Sequence, residues 1–207
     1  MTGSLVGKRA LDVGCGSGFF TEPLAIKGAQ RVIGLDDSEE QIKLAQNSYH
    51  AECEYLLGDM FTYDLPAVDC IVAPFVLNYP ETVEQLEYLL GRFYEALNEK
   101  GALIGVIDLP SGNDNSHFGA RKTLPCGTGD GAPLQIELFN EGRSIDTYSA
   151  TYYRPETVQD MCRRVGFTRF TWVKPHISAE GIRAMGRDFW GDYLERTELG
   201  YFKARKM

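Results

Sequence analysis

Gly14, Gly16 and Gly18 stand at alternate positions in the stretch LDVGCGSGFF, directly after a short apolar run. Glycine reaches backbone angles closed to other residues and lacks the β-carbon that would hold a ligand away from the main chain. A turn this bare suits a flat or extended molecule resting on peptide groups. Asp36 closes the next apolar run, twenty residues beyond Gly16. A carboxylate so placed can accept hydrogen bonds from both hydroxyls of a ribose. Asp36 and Asp37 have an alternative duty, which is to cap the helix that Ser38 opens. Gly58-Asp59-Met60 adds an acid for an exocyclic adenine amine and a thioether to pack beside the ring; the same residues also read as a plain turn.

The spacing of the glycines narrows the ligand. A dinucleotide fingerprint, G-x-G-x-x-G, needs glycine or alanine where Phe19 stands, which argues against a nicotinamide-dependent oxidoreductase. The Gly-Lys-Ser/Thr of a phosphate-binding P-loop is absent. For proton transfer the candidates are His117, in a long irregular segment, and Tyr152, with Tyr148 and Tyr153 nearby. Histidine titrates near neutrality and suits a general base, although a single loop histidine is commonly just solvated and strand tyrosines commonly pack. Phe189 and Trp190 can stack on a planar acceptor or fill the core of their own segment.

These residues need elements to hold them. Arg9–Val13, Arg31–Leu35, Glu54–Leu57, Asp69–Ala73 and Ala102–Asp108 read as strands. Between them lie a helical stretch ending near Gly28, a helix over Ser38–Ser48 with a capping-box start at Ser38 and Gln41, and a helix carrying Leu86, Leu89, Leu90, Phe93 and Leu97 on one face, ending at NEKG. Strand–helix alternation predicts a Rossmann-like α/β fold, doubly wound, with a mainly parallel seven-stranded sheet and helices on both faces. Residues 109–131 are rich in Gly, Pro, Ser and Asn and suggest a lid or binding loop. Leu134–Phe139 and Ile145–Tyr153 form a hairpin around NEGR. A helix opens at Arg154-Pro155 and stops at Gly166, then come a strand over Phe167–Val173, a helical insertion over 176–195 and a last strand, Leu199–Ala204. One domain over 1–207 is expected: a ligand-binding half (1–108), a lid and hairpin (109–154) and a C-terminal part (155–207).

Composition sets limits. With 207 residues, 43% of them hydrophobic, the chain can bury a core without disulfide or metal staples. No apolar run reaches the roughly 18 residues of a membrane span, and MTGSLVGKRA lacks the pattern of a signal peptide, so a cytoplasmic protein is expected. A net charge of −8 and a pI near 5.0 without a basic stripe disfavour nucleic acid. Cys15, Cys53, Cys70, Cys126 and Cys162 show no C-x-x-C spacing and His50, His117 and His176 are scattered, so neither a structural disulfide nor a metal site is expected.

LDVGCGSG, VIGLDDSEEQI, LLGDM and DCIVAPFVLNY, in this order and spacing, resemble the class I S-adenosylmethionine (SAM)-dependent methyltransferases over residues 5–108. GAQRVIGLDDSEEQI, VLNYPETVEQL and FWGDYLERTELGYFKARK further resemble a subgroup of small methyltransferases that includes the toxoflavin-biosynthesis enzyme. The resemblance implies SAM as cofactor and S-adenosylhomocysteine as product, with a methyl group moved to nitrogen or oxygen of a small molecule in natural product biosynthesis. It implies that Asp12 and the backbone of Gly14, Cys15, Gly16 and Gly18 hold the amino-acid portion, Asp36 the ribose, and Asp37, Asp59 and Met60 the adenine. Ala73, Pro74 and Phe75 would lie near the sulfonium, with Asn78, Tyr79, His117, Tyr148 and Trp190 toward the acceptor. The family often has methionine where Gln41 stands, so loss of apolar packing against adenine is expected. The subgroup normally carries a helix before the first strand, so either the chain is truncated or the site is more open, and weaker cofactor binding is expected. Ala73-Pro74-Phe75 lacks the leading polar residue and second proline of nucleic-acid amino-methyltransferases. The other function weighed is a cofactor-binding but non-catalytic partner subunit or regulator. A monomer or homodimer is expected. Transfer from a sulfonium is an in-line displacement in which positioning alone can supply about 7–11 kcal/mol, against 10²–10⁴-fold from a base, so a dedicated base is optional.

Overall fold

A computed structural model describes residues 3–48, 52–124 and 129–207; His50 and Cys126 lie outside the described residues. Strands β1 (Arg9–Val13), β2 (Arg31–Asp36), β3 (Glu54–Leu57), β4 (Val68–Pro74) and β5 (Leu97–Asp108) pair in parallel. β9 (Arg169–Val173) and β10 (Leu199–Arg205) complete the sheet antiparallel, in the order β3-β2-β1-β4-β5-β10-β9. This is the seven-stranded, mostly parallel Rossmann-like sheet that the alternation of elements predicts. The order reverses between β1 and β4, so the two chains of crossovers diverge there and leave a crevice beyond the strand ends.

Alternation along each strand sends side chains to opposite faces. Leu11 and Val13 join Ile33, Leu35, Ile71 and Leu103 in the larger core layer. Helices α3 (Val83–Ala96) and α4 (Pro155–Arg164) cover that layer with Leu86, Leu89, Leu90 and Phe93, and with Val158, Met161 and Cys162. Ala10, Val32, Cys70, Val72 and Ile104 face the other way, against Leu24 of α1 (Thr21–Ile26). Right-handed crossovers from β1 to β2 and from β2 to β3 place α2 (Glu39–Ser48) on the same side as α1. Ser38 Oγ accepts from Gln41 N at 3.3 Å, which is the capping bond its spacing predicts.

A second, three-stranded antiparallel sheet is built from β6 (Ala120–Thr123), β7 (Ala132–Asn140) and β8 (Arg143–Tyr152). The hairpin turns on Glu141 and Gly142, with φ of 50° and 75°, the left-handed pair a two-residue turn requires. β6 lies within the segment expected to be irregular. Its pairing with β7, from Ala120 opposite Leu138 to Thr123 opposite Gln135, gives that segment the order it was not expected to have. At its base this sheet is tied to the segment before α3 and to the start of α4: Tyr153 Oη donates to Pro80 O at 2.8 Å, and Asp130 accepts from Arg154 and from Thr157 Oγ1. The expected helical insertion is two helices, α5 (Ala179–Met185) and α6 (Arg187–Arg196), broken at Gly186, whose φ of 84° suits glycine alone. Among the described residues no helix is long and apolar enough to cross a membrane.

Candidate functional site

The glycine turn leaves β1 at the switch point with φ of 63°, 52° and 91° at Gly14, Gly16 and Gly18. The glycines are not equivalent. A Cβ on Gly14 would come within 2.9 Å of Val76 Cγ2, so its bareness lets the turn pack on the β4 exit. A Cβ on Gly16 would meet nothing nearer than Gln41 Oε1 at 3.7 Å, so its bareness leaves a free surface. Gln41 thus borders the crevice with an amide.

Asp36 joins the two loops that form this edge. Its Oδ2 accepts from Gly16 N at 2.8 Å and its Oδ1 from Ser38 N at 3.0 Å. The capping of the entry to α2 is therefore present, and the other carboxylate oxygen is bonded to the glycine turn. An ionised carboxylate offers about four acceptor positions, so each oxygen keeps one for a donor in the crevice. Asp37 is exposed beside it.

Asp12 lies beneath the turn. It is fully buried; Oδ2 accepts from Thr21 Oγ1 at 2.7 Å, while Oδ1 has no partner. Burial pushes its pKa up to about 7, the Thr21 bond opposes this, and the Asp36 charge adds to the rise. A buried carboxyl with one oxygen bare fits a ligand that brings a donor or a positive charge to it. Cys15 does not reach the crevice with its side chain. A Cβ on Gly34 would come within 2.9 Å of Cys15 Sγ and 2.8 Å of the Tyr55 ring, so the thiol lies against the sheet. Its N–H is already given to Leu35 O, and burial pushes the thiol up to about 12.

After β3, Asp59 Oδ1 accepts from Phe61 N at 2.7 Å, while its carbonyl accepts from Thr62 N and Tyr63 N. The plain-turn reading therefore describes part of what Asp59 does. Met60 is half-buried against the larger core layer, and Arg92 reaches from α3 to donate to the carbonyls of Met60 and Tyr63. The loop is thereby held from behind, with Asp59 itself exposed at the edge.

The β4 exit corrects several expectations. Ala73 and Pro74 are buried, Ala73 wholly so in the core, and only Phe75 emerges. Phe75 has φ 64°, ψ −2°, a conformation costing an aromatic residue about 1–3 kcal/mol. Its N–H is held by Val106 O at 2.7 Å. Asn78, expected at the acceptor, is 2% exposed: Nδ2 donates to Thr151 O at 2.8 Å and Oδ1 accepts from Asp108 N at 2.9 Å. Its amide binds β5 to β8, because carbonyl and N–H groups at that buried junction need partners. Tyr79, which follows, is exposed. The charges of Asp36 and Asp37 add to the burial that raises its pKa, and Tyr79 in turn contributes to the rise at Tyr148.

Beyond Phe75 and the end of β5, under the small sheet and α6, lies a cavity of about 240 Å³. Phe75, Phe118, Tyr148, Tyr193, Ile136 and Leu138 give it an apolar body. Asp108 and Lys122 also line it as a buried ion pair, 2.6 Å between Oδ1 and Nζ, with Lys122 donating as well to Glu198 O at 3.0 Å. Burial raises the Asp108 pKa, Lys122 opposes that, and Glu198 adds to it. Tyr148 is pushed up to about 12 by burial and then by Asp108, so its hydroxyl is a hydrogen-bond donor near neutrality.

The proposed bases lie elsewhere. His117 Nε2 meets Asp192 Oδ2 at 3.3 Å on the outside of α6, and the neighbouring Phe118, not His117, lines the cavity. Tyr152 stands at the base of the hairpin, where Asp130, Glu156 and Arg154 set its electrostatic surroundings, and does not line the cavity. Trp190 Nε1 donates to Gly181 O at 2.7 Å, so the indole clasps α5 to α6. Asp108, Lys122 and Glu198 were not among the residues singled out in the sequence. They lie 14 and 76 positions apart, and the hydrophobic patterning offers no sign of their pairing. Among the described residues no cluster of His, Cys, Asp and Glu could hold a metal ion.

A reversed parallel sheet with a naked glycine turn and an acid on the neighbouring strand defines a nucleoside-binding α/β protein of the Rossmann-like kind. Residues 10–101 match the methyltransferase domain family, and over them the chain is similar to the class I SAM-dependent methyltransferases. The mitochondrial ubiquinone biosynthesis O-methyltransferase of Mus musculus is 36% identical over 107 residues, 48% of this chain and 28% of that protein's own length. Among solved structures, a SAM-dependent methyltransferase from Mesorhizobium loti aligns over 98% of this chain and 93% of its own, with TM-score 0.69 and 19% identity. A SAM-bound amino pentose methyltransferase of calicheamicin biosynthesis, from Micromonospora echinaspora, aligns over 97% of this chain and 84% of its own, with TM-score 0.66 and 18% identity. The chain therefore spans less than a third of the mouse enzyme, while the fold is shared almost end to end with the two structures.

Proposed function

We propose that this protein binds SAM over the glycine turn and transfers its methyl group to an oxygen of a small molecule held in the cavity. The observation that carries this reading is the junction of two sites at the switch point. The open face of Gly16, bonded to Asp36, belongs to the turn that packs through Gly14 on Val76, and the adjoining Phe75 lines the cavity together with Asp108 and Tyr148. Oxygen is preferred to nitrogen on the names of the mouse relative and of an O-methyltransferase from Bordetella parapertussis, 54% identical over 44 residues, which are 21% of this chain and 18% of that protein.

SAM, when bound, supplies an electrophilic methyl group on sulfur. The chain supplies placement. Asp36 receives the ribose hydroxyls on its spare acceptor positions, and Asp12 receives the α-ammonium group at its bare Oδ1. Gly14 and Gly18 shape the turn, Asp37 and Asp59 border the base with Met60 behind, and Gln41 closes the crevice opposite Gly16. On the acceptor side, Phe75 and Tyr148 fix an apolar ring. Asp108 takes the proton that a hydroxyl releases, and Lys122 at 2.6 Å holds the carboxylate charged until then. The proton leaves through the raised-pKa carboxyl, which makes Asp108 a better base than an exposed aspartate.

The test is calorimetric titration with S-adenosylhomocysteine, followed by methyl transfer from labelled SAM to a panel of phenols, catechols and amines. Binding with a phenolic product supports the reading. Binding without turnover on any acceptor assigns the chain to the non-catalytic class, and absence of binding overturns the cofactor site.

A further inference from the structure

The wall of the cavity is incompletely paired. Asn115, Thr197 and Glu198 all line it, and each carries one polar atom that is buried and has no hydrogen-bond partner: Asn115 Oδ1, Thr197 Oγ1 and Glu198 Oε2. Asn115 is 5% exposed and Glu198 4%. The other ends of these groups are firmly held. Asn115 Nδ2 donates to Arg196 O at 3.0 Å, and Glu198 Oε1 accepts from both N and Oγ of Ser111 at 2.6 Å. The side chains are therefore fixed in place with acceptors left over. A buried acceptor without a partner is costly, and a carboxylate oxygen most of all.

Charge points the same way. Asp108 and Glu198 bring two carboxyl groups to this wall, and Lys122 brings one buried ammonium, already engaged by Asp108 Oδ1 and Glu198 O. Arg196 also borders the cavity, but its Nε is turned to Asp192 at 2.7 Å. The buried wall has more acceptors than donors and more negative than positive charge.

We infer that the acceptor molecule carries an amino group, in its ammonium form, seated against Glu198 Oε2 and Asn115 Oδ1, with an aromatic or aliphatic body between Phe75, Phe118 and Tyr148. This rests on the methyltransferase reading of the same site and specifies its substrate class: a small aminated molecule, not an acid. A protonated amine has no lone pair to attack with, so the ammonium group is a handle and the methylated atom is elsewhere on the molecule. Acceptors with a carboxylate at that position meet Glu198 and Asp108 and are rejected.

The experiment compares tyramine, 4-ethylphenol and 3-(4-hydroxyphenyl)propanoate, which differ chiefly in the charge at one end. Binding is followed by saturation-transfer NMR and calorimetry at pH 7.5, with S-adenosylhomocysteine bound. The expected order is tyramine first, the phenol about tenfold weaker, and the acid undetectable. In Glu198→Gln, whose amide oxygen can still accept from Ser111, the preference for tyramine over the phenol falls to less than threefold while S-adenosylhomocysteine binds as before. Equal or tighter binding of the acid, or an unchanged preference in Glu198→Gln, overturns the inference. Should Glu198→Gln fail to fold, the order among the three probes on the wild-type chain decides. Failure of S-adenosylhomocysteine to bind the wild-type chain refutes the methyltransferase reading instead, so the two failures are separate.

Discussion

Asp12→Asn separates a structural from a ligand-binding role at the base of the glycine turn. The carboxyl is fully buried with Oδ1 unpartnered, and its pKa rises from 3.8 to about 7. A folded-state value above the unfolded one means that the native chain binds the extra proton, so this carboxyl's contribution to stability is full below pH 3.8 and is lost as pH rises through 7. The rise corresponds to about 4 kcal/mol at full ionisation. Of the ionisable neighbours, the Cys15 thiol and the Tyr55 hydroxyl are both pushed up, Cys15 to about 12. Neither titrates in this range. Asn keeps an acceptor for Thr21 Oγ1 and carries no charge, so thermal unfolding of the variant minus wild type should widen in the variant's favour from pH 5 to pH 8.5. The ammonium group of S-adenosylhomocysteine offsets the same charge, so ligand binding to wild type needs the ionised form. About nine tenths of Asp12 is ionised at pH 8 and about one tenth at pH 6, hence calorimetry should find affinity about tenfold weaker at pH 6. Asp12→Asn should bind weakly and without this slope. Parallel stability profiles for the two chains, or a wild-type affinity flat between pH 6 and 8, would refute the electrostatic account.

Gly16→Val should abolish the thermal shift given by S-adenosylhomocysteine, because it fills the open face of the turn and forces a branched residue to a φ of 52°; an unchanged shift would mean that the ligand lies elsewhere. Asp108→Asn should lower kcat with little change in cofactor affinity and destabilise the chain by about 3–5 kcal/mol, since it leaves Lys122 buried without its counter-charge. Adding Lys122→Met should restore stability in chemical denaturation but not turnover, which separates the proton-accepting role from the structural one. Asn78→Ala removes both bonds that join β5 to β8 and should cost about 2–4 kcal/mol in denaturant melts; a neutral result would contradict its assignment as a clasp.

Much of the ligand-binding half is legible because its physics is local. Apolar runs of four to seven residues give β1 to β4 almost to their ends, and the glycine spacing with Asp36 marks the switch point. The Asn140–Arg143 stretch announces its hairpin through turn chemistry alone. The acceptor side is less legible. β6 buries little apart from the stem of Lys122, so ARKT has no alternation to betray a strand. Asp108 and Lys122 meet only because β6 pairs with β7 over the end of β5. Asn78 sits in an apolar run, where a polar residue suggests ligand contact; its task is to bond an N–H of β5 and a carbonyl of β8. His117 and Trp190 suggested chemistry by type, but residues packed from α6 and α5 claim their polar atoms.

The small sheet is fastened at its root and through Lys122 of β6, which is bonded to Asp108 and to Glu198 O, while its tip is not. Tyr153 to Pro80, Asn78 to Thr151 and Asp130 to Arg154 hold its root, while Arg143–Ser149 on β8 are exposed apart from what Tyr148 covers. Changes of length or residue toward the Glu141-Gly142 tip can therefore accumulate without disturbing the scaffold that carries the nucleoside. The hairpin is in effect an interchangeable fitting, and descendants of one ancestral chain could come to accept quite different molecules while everything below the root stayed as it was.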